Sequence, residues 1–517
     1  MRWFEPTEYE KWATPLALAR PQSYLGLPAL DARSRELYER ALPRGVLLPR
    51  FYPDRPRVNR WMAPHELARH AYLPGQIILG KFANTYLGYL DDRPMVTIAG
   101  ARAGKTSTVL EPNLCLYPGS LLLLDPKSEL ARTAILRRAL GHDVFVLDPF
   151  GRSGVPSACF NPLAELDPES PAIVDDVAAI CQAIIGDDGD SRSRHWNDSA
   201  RALLMGIILL TLTLAESERH LVTVRELLCL AYPPLMRAVQ SKMTPPEDGK
   251  PDETLYSENK LAIETLLKAM SKDENRYDGV LAAIGNRFST TPHAERGSIF
   301  STAAAHTDFL DSIPLRKISR RSDFRLGALR GVRPTTICLC LPASRQSHYR
   351  WLRLIVQMAC TVLEHMGEYP RERPPILFLM EEAATLGRFE LLEHAAAYFP
   401  SFGIKLWLVL QGIEQLTKNF NKSGTEIILG NAGLIQCFAN NDEATLSYIS
   451  ARIEKLAVPF ELRMAFSRQR FSQILLMEGE PPAAATRLEH HDVAAIRASL
   501  EKEAGLRASR NTGLSRA

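Results

Sequence analysis

The apolar positions of this chain change period along its length, and the changes divide it. Short continuous apolar runs at Met95–Ala99, Leu121–Leu124 and 144–147 read as strands buried on both faces, the pattern of a parallel sheet. Ahead of them, Gly75–Gly80 and 86–89 have hairpin character. The second and third runs end in Asp125-Pro126 and Asp148-Pro149, pairs that stop a strand and leave a carboxylate at its C-terminal end. In an open α/β sheet those ends line the ligand crevice.

Between about 165 and 300 helical periods replace the strands, around 172–185, 195–214, 222–231 and 259–269, and predict an all-α insert with an exposed loop near 245–254. Strand and helix then alternate again through 336–341, a helix at 353–363, 376–380, a helix from Phe389, 405–410 and 434–438, so one parallel sheet closes across the insert. The reading gives five parts. They are a Pro/Arg-rich irregular arm (1–60), the first part of a nucleotide-binding domain (61–164), the helical insert (165–300), the second part of that domain (301–480) and a C-terminal tail (481–517). The fold class is α/β.

At 517 residues the chain has room for about three structural units. Its 46% hydrophobic and 23% charged residues exclude a disordered or low-complexity scaffold. Against 62 Lys+Arg stand 59 Asp+Glu, so any site for a polyanion must be local. The eight cysteines lack a CxxC pair with a matching downstream group, which argues for buried reduced thiols rather than zinc; Cys338 and Cys340 share one face of a strand. The longest apolar stretch, 202–215, is shorter than the roughly 20 residues of a membrane span and reads as a buried helix. No secretory signal opens the chain, so a cytoplasmic location is expected.

The sharpest chemical feature is Gly100-Ala101-Arg102-Ala103-Gly104-Lys105-Thr106-Ser107, set after a strand and before a helix-compatible run. A phosphate-binding loop needs that setting: backbone N–H groups wrap phosphates, Lys105 reaches the β and γ oxygens, and Thr106 ligates Mg²⁺ of an ATP–Mg²⁺ complex. The apolar run from Ile376 ends in Glu381-Glu382, read as metal carboxylate (Glu381) and base for the attacking water (Glu382). The run from Lys405 ends in Gln411, an amide placed to sense the γ-phosphate or the lytic water. Asp125, Lys127, Glu129 and Asp148 suit the crevice or, equally, solvated turns. Adjacent His490 and His491 point apart on a helix and make a poor metal pair.

The co-linear set 102–105, 124–129, 146–150, the acidic strand end with 382–388, 403–406 with Gln411 and Gln415-Leu416, and Asn431 with 441–445 resembles the type IV secretion coupling ATPases, the TraG/TraD-like conjugative DNA-transfer proteins. The likeness runs from about Arg60 to Ile453. It implies a RecA-like P-loop NTPase domain with an all-α insert, a hexameric ring taking ATP between subunits, and delivery of DNA, single-stranded or as a relaxase-type nucleoprotein, or of a protein substrate, to channel components. Three features depart from the family. A polar arm stands where members usually carry two transmembrane helices, so attachment at the inner membrane would run through partners; Glu381 replaces the commoner Asp; and Phe399-Pro400-Ser401-Phe402 replaces a segment with an arginine that reaches a neighbour's nucleotide, so that either another residue, Arg388 for one, substitutes or hydrolysis is weak. Three functions stay open: coupling ATPase, weakly hydrolysing ATP-binding adaptor, and soluble DNA translocase unconnected with secretion.

Overall fold

The computed structural model describes residues 60–186, 191–242, 251–342, 346–370, 372–389, 391–393 and 398–514. The arm expected at 1–60 lies, but for Arg60, outside them. The chain divides into two compact units, one of residues 1–156, 327–343 and 366–517 and the other of 157–326 and 344–365.

The first unit is built on one eleven-stranded sheet. Its strands are β1 (Ile77–Phe82), β2 (Thr85–Tyr89), β3 (Met95–Ala99), β4 (Leu121–Leu124), β5 (Asp143–Leu147), β6 (Thr335–Leu339), β7 (Ile376–Glu381), β8 (Ile404–Leu410), β9 (Leu434–Phe438), β10 (Ser472–Met477) and β11 (Ala483–Thr486), in the order β2-β1-β11-β10-β9-β3-β8-β7-β4-β6-β5. From β9 to β5 every pairing is parallel, and from β9 back to β2 every pairing is antiparallel. All residues of β3, β4, β6, β7, β8 and β9 are buried, which is why these strands read as mainly apolar runs.

A chain of polar side chains crosses this core. Trp407 Nε1 donates to Thr97 Oγ1 (2.9 Å), Thr97 Oγ1 to Gln436 Oε1 (2.9 Å), and Gln436 Nε2 to Gln473 Oε1 (2.6 Å). Gln473 Nε2 ends it on the carbonyls of Leu79 (2.8 Å) and Thr486 (3.1 Å), so every member is satisfied although buried.

The segment 481–517 is not a tail in its described part. β11 completes the antiparallel flank, and the helix His490–Leu514 places Val493, Ile496 and Leu500 against Ile78, Cys115, Leu116 and Leu140. The spacing of three and four residues gives that helix one apolar stripe, and burial of the stripe holds it down.

The second unit is all helical. Its longer helices are Ile173–Ile184, Ser191–Leu212, Pro251–Met270, Val280–Thr290, His293–His306 and Tyr349–His365. The unit begins at 157 and runs to 326 rather than 300, and the helix at 349–365, assigned from sequence to the nucleotide-binding domain, belongs to it. Of the loop expected at 245–254, residues 245–250 lie outside the described residues and 251–254 open a helix. The helix expected from Phe389 is also largely outside them. Leu203, Leu204, Ile207, Ile208 and Leu212 are buried within the helical unit. Among the described residues no helix is long and apolar enough to cross a membrane.

Candidate functional site

β3 ends at Ala99, and the loop that follows turns through left-handed backbone at Arg102 (φ 55°) and Gly104 (φ 89°) before the helical segment Thr106–Leu110. Glycine suits position 104 because the angle is strained for other residues; a Cβ there would also press on Arg487 Nη1 at 3.2 Å. Pro112 has no N–H to bond Thr108, while the Glu111 amide bonds the Thr106 carbonyl five residues back, so this first helical turn is wide. The Thr108 amide (2.9 Å) and hydroxyl (2.8 Å) both donate to the Gly104 carbonyl.

Lys105 Nζ donates to the carbonyls of Ala99 (2.6 Å) and Gly100 (3.1 Å), closing the loop on its own strand end. Burial, with the Lys127 ammonium nearby, holds Lys105 below the ordinary lysine range, against the opposing pull of Glu382 and Glu381.

β8 lies between β3 and β7 in the sheet, so the end of β7 comes up beside the loop. Thr106 Oγ1 donates to Glu381 Oε1 at 3.0 Å. Glu381 is fully buried, and its Oε2 has no hydrogen-bond partner among the described residues. Burial, then repulsion from Asp125, pushes the Glu381 carboxyl up to about 7 despite Lys127 and the Thr106 hydroxyl. A hydroxyl beside one unsatisfied buried carboxylate oxygen is a donor set that suits a hard divalent cation which keeps water and phosphate as its other ligands, as Mg²⁺ does. Among the described residues no group of three or more His, Cys, Asp or Glu gathers as a metal cage.

Glu382 follows in left-handed backbone (φ 55°, ψ 46°). Gln411, just past β8, donates through Nε2 to both its oxygens, Oε1 at 2.8 Å and Oε2 at 2.9 Å. The Gln411 backbone is itself held: its amide donates to Gln415 Oε1 (2.8 Å) and its carbonyl accepts from Asn440 Nδ2 (2.8 Å). Asp442 caps the helix Glu443–Arg452 through the Thr445 amide (3.0 Å) and hydroxyl (2.5 Å).

The remaining crevice residues separate. Asp125 and Asp148 are buried and build their own turns: Asp125 accepts the amides of Glu129, Leu130 and Ala131, and Asp148 the amide and hydroxyl of Ser153. Burial lifts Asp125 to about 6 against those bonds. Lys127 instead reaches the acidic pair, 3.2 Å from Glu382 Oε1 and 3.8 Å from Glu381 Oε1. Partial burial works against its charge, but the two glutamates raise it above the ordinary lysine range.

Two contributions escaped the sequence reading. Lys127 stood in a quoted segment without a task. Arg487 carried no local signal at all, yet its Nη1 donates to the Ala103 carbonyl of the loop at 2.6 Å, and its guanidinium lies 4.4 Å from the Phe438 ring centroid and 5.0 Å from that of Phe471. Arg388 is exposed, and Pro400 sits in the 3₁₀ turn Phe399–Phe402 ahead of β8. His490 edges Phe471 while His491 faces Glu489 and Asp492. All eight cysteines are free thiols, seven buried; Cys229, expected inside, is exposed.

A glycine-lysine-threonine loop between a central parallel strand and a helix, with acidic and amide strand ends beside it, defines a P-loop protein of RecA-like fold, here with an all-α unit formed mainly by the segment between β5 and β6 and completed by the helix after β6. Residues 69–474 match the family described as Type IV secretory system Conjugative DNA transfer, and the chain belongs to that family. It is similar to the Conjugal transfer protein TraG of Escherichia coli, with 26% identity over 383 residues, 72% of this chain and 56% of that protein. To Protein VirD4 of Rhizobium radiobacter it is 23% identical over 474 residues, 85% of this chain and 63% of that one. The chain thus spans less than two thirds of the length of either relative. Among solved structures, the plasmid coupling protein TrwB in complex with ADP and Mg²⁺ superposes with a TM-score of 0.55 at 13% identity, over 83% of this chain and 93% of that one, a likeness of fold.

Proposed function

We propose that this chain is an ATP-binding and ATP-hydrolysing coupling protein. It recruits DNA, or a relaxase-type nucleoprotein carrying single-stranded DNA, and drives it to a type IV secretion channel. It works as a ring of identical copies, six by analogy with the family, on the cytoplasmic side of the inner membrane and attached there through partners.

The observation that supports this reading is the 3.0 Å contact of Thr106 with Glu381, which joins the loop to the acidic strand end and leaves Glu381 Oε2 without a hydrogen-bond partner among the described residues. The backbone from Gly100 through Ser107 holds the phosphates, with Lys105 exchanging the carbonyls of Ala99 and Gly100 for phosphate oxygens. Thr106 and Glu381 would hold Mg²⁺, which would supply positive charge beside the phosphates and the Glu381 carboxylate. Glu382 takes the proton of the attacking water. Gln411 orients the Glu382 carboxylate, and the bond from Asn440 to its carbonyl links that amide to the segment after β9.

Purified full-length chain is assayed for ATP binding and hydrolysis with and without single-stranded DNA. Lys105→Ala is expected to lose both activities. Equal turnover in wild type and Lys105→Ala would remove the motor reading. One observation favours the adaptor alternative: Pro400 stands in the turn ahead of β8, where the resemblance implies a trans arginine, a group typically worth orders of magnitude in rate. Tight nucleotide binding with no turnover under any DNA condition would select that alternative.

A further inference from the structure

Within the all-α unit an open groove of about 980 Å³ is walled by four arginines, Arg219, Arg320, Arg321 and Arg325, with Asn161 and Ser217 beside them. Two acids, Glu216 and Asp323, also face it. The charge is concentrated by sequence: residues 316–325 hold five Arg or Lys and one acid, in a chain whose overall balance is only +3. That is the local site a polyanion needs when the whole chain offers no field.

The arginines are positioned by their surroundings. Arg219 is fixed through Nε on the Leu214 carbonyl (2.8 Å), and Asn161 Nδ2 holds the Arg219 carbonyl (2.8 Å). Arg325 donates to the Ala164 carbonyl, and Arg321 pairs with Asp323. Arg320 and Arg321 remain exposed. Of the apolar lining, Leu163 and Leu212 are buried and Phe324 is stacked on Phe160 at 5.1 Å, which leaves Leu166 and Pro168 partly exposed among the polar groups. Forked guanidinium donors with an amide and a hydroxyl are chemistry for phosphate oxygens, and an open groove whose exposed lining is mainly polar suits a sugar-phosphate backbone better than an acidic peptide, whose affinity leans on side-chain anchors.

The geometry points to this groove as a binding site for the phosphate backbone of single-stranded DNA, separate from the nucleotide cleft. The choice of DNA rests on the coupling-protein reading above; the location does not. The test measures anisotropy of a fluorescent oligothymidylate of about 30 nucleotides with the full-length chain, across about 50 to 200 mM salt. Arg320→Glu/Arg321→Glu is expected to weaken binding about tenfold or more at low salt and to flatten the slope of log K against log salt by about one to two. Arg320→Lys/Arg321→Lys keeps most of the slope, and Arg237→Glu, an exposed charge reversal outside the groove, stays within about twofold of wild type. ATP binding, measured on each variant, is unchanged. Wild-type DNA binding that the double reversal leaves intact removes the groove while sparing the coupling reading; a wild type that binds ATP but no oligonucleotide removes both. Displacement of the DNA by polyglutamate at equal charge would reassign the groove to an acidic polypeptide and overturn the proposal.

Discussion

Arg487 Nη1 donates to the Ala103 carbonyl at 2.6 Å, joining the strand end at β11 to a loop 384 residues earlier in the chain. The same guanidinium reaches the Arg468 carbonyl (3.2 Å) and lies against two aromatic rings, and burial brings it down to about 10. A buried cation held this way fixes the Ala103 carbonyl and, in the proposed reading, the orientation of the loop amides that would bind phosphate.

Arg487→Met keeps much of the volume and removes the donor. The expected outcome is a folded protein whose melting temperature falls by several degrees and whose ATP affinity falls about tenfold, the value of one charge-assisted hydrogen bond. Calorimetric titration with ATP beside a thermal melt checks it, and an unchanged affinity in a folded variant would assign Arg487 to packing alone.

The pair Glu382 and Gln411 predicts a split between binding and turnover. Glu382→Gln removes the proton acceptor and keeps the shape, so nucleotide binding persists while kcat falls about 100-fold or more. Gln411→Ala releases the carboxylate from its two bonds and is expected to cost about tenfold in kcat. Since both act through one group, the double variant should be little slower than Glu382→Gln. Steady-state hydrolysis at saturating ATP decides this, and additive losses would mean that Gln411 acts independently of Glu382.

How far these relationships were legible follows from their range. The strands β3, β4, β7, β8 and β9 announced themselves because parallel strands buried on both faces need continuous apolar sequence, and the phosphate loop because its chemistry occupies eight consecutive residues. β11 is Ala-Ala-Ala-Thr, with little of the β-branched or aromatic signal of a strand, and becomes one through its pairing with β10. Arg487 and Lys127 act across hundreds of residues, on atoms that no local spacing identifies. The helical unit overran its expected boundary because the helices at 293–306 and 313–318 lack the long apolar runs of the helix at 191–212.

Gln436 tests the buried polar chain. Gln436→Leu leaves Thr97 without its acceptor and Gln473 Oε1 without its donor in a core that admits no exposed alternative. The expected loss is about 2–4 kcal/mol of folding stability, the desolvation cost of the orphaned groups. Urea unfolding measures it; a loss under about 0.5 kcal/mol, the range of ordinary surface substitutions, would show that the chain relaxes around the change.

Lys405, at the opposite end of β8 from Gln411, sets a pH dependence of stability. Its ammonium is buried over the Tyr89 ring (5.1 Å to the centroid) and donates to the carbonyls of Asp91 (2.6 Å) and Arg93 (2.7 Å). Burial brings its pKa from 10.5 down to about 8, with Asp91 and Asp92 pulling upward and Arg93 downward. Between those two values the unfolded chain binds more protons than the folded one, so unfolding free energy rises with pH across the window. Tyr89, raised by burial above its ordinary 10.0, and buried thiols such as Cys115, Cys181 and Cys338, raised by burial above their ordinary 9.0, act in the opposite sense, so the contribution of Lys405 is read as the difference between the wild type and a variant that lacks it. The rise from this lysine is about 2–3 kcal/mol at most. Lys405→Met removes the titrating group, so its stability profile should lack that rise whatever its absolute stability. Denaturant unfolding of both proteins at closely spaced pH values makes the comparison, and parallel profiles would mean that Lys405 titrates alike in the folded and unfolded chains.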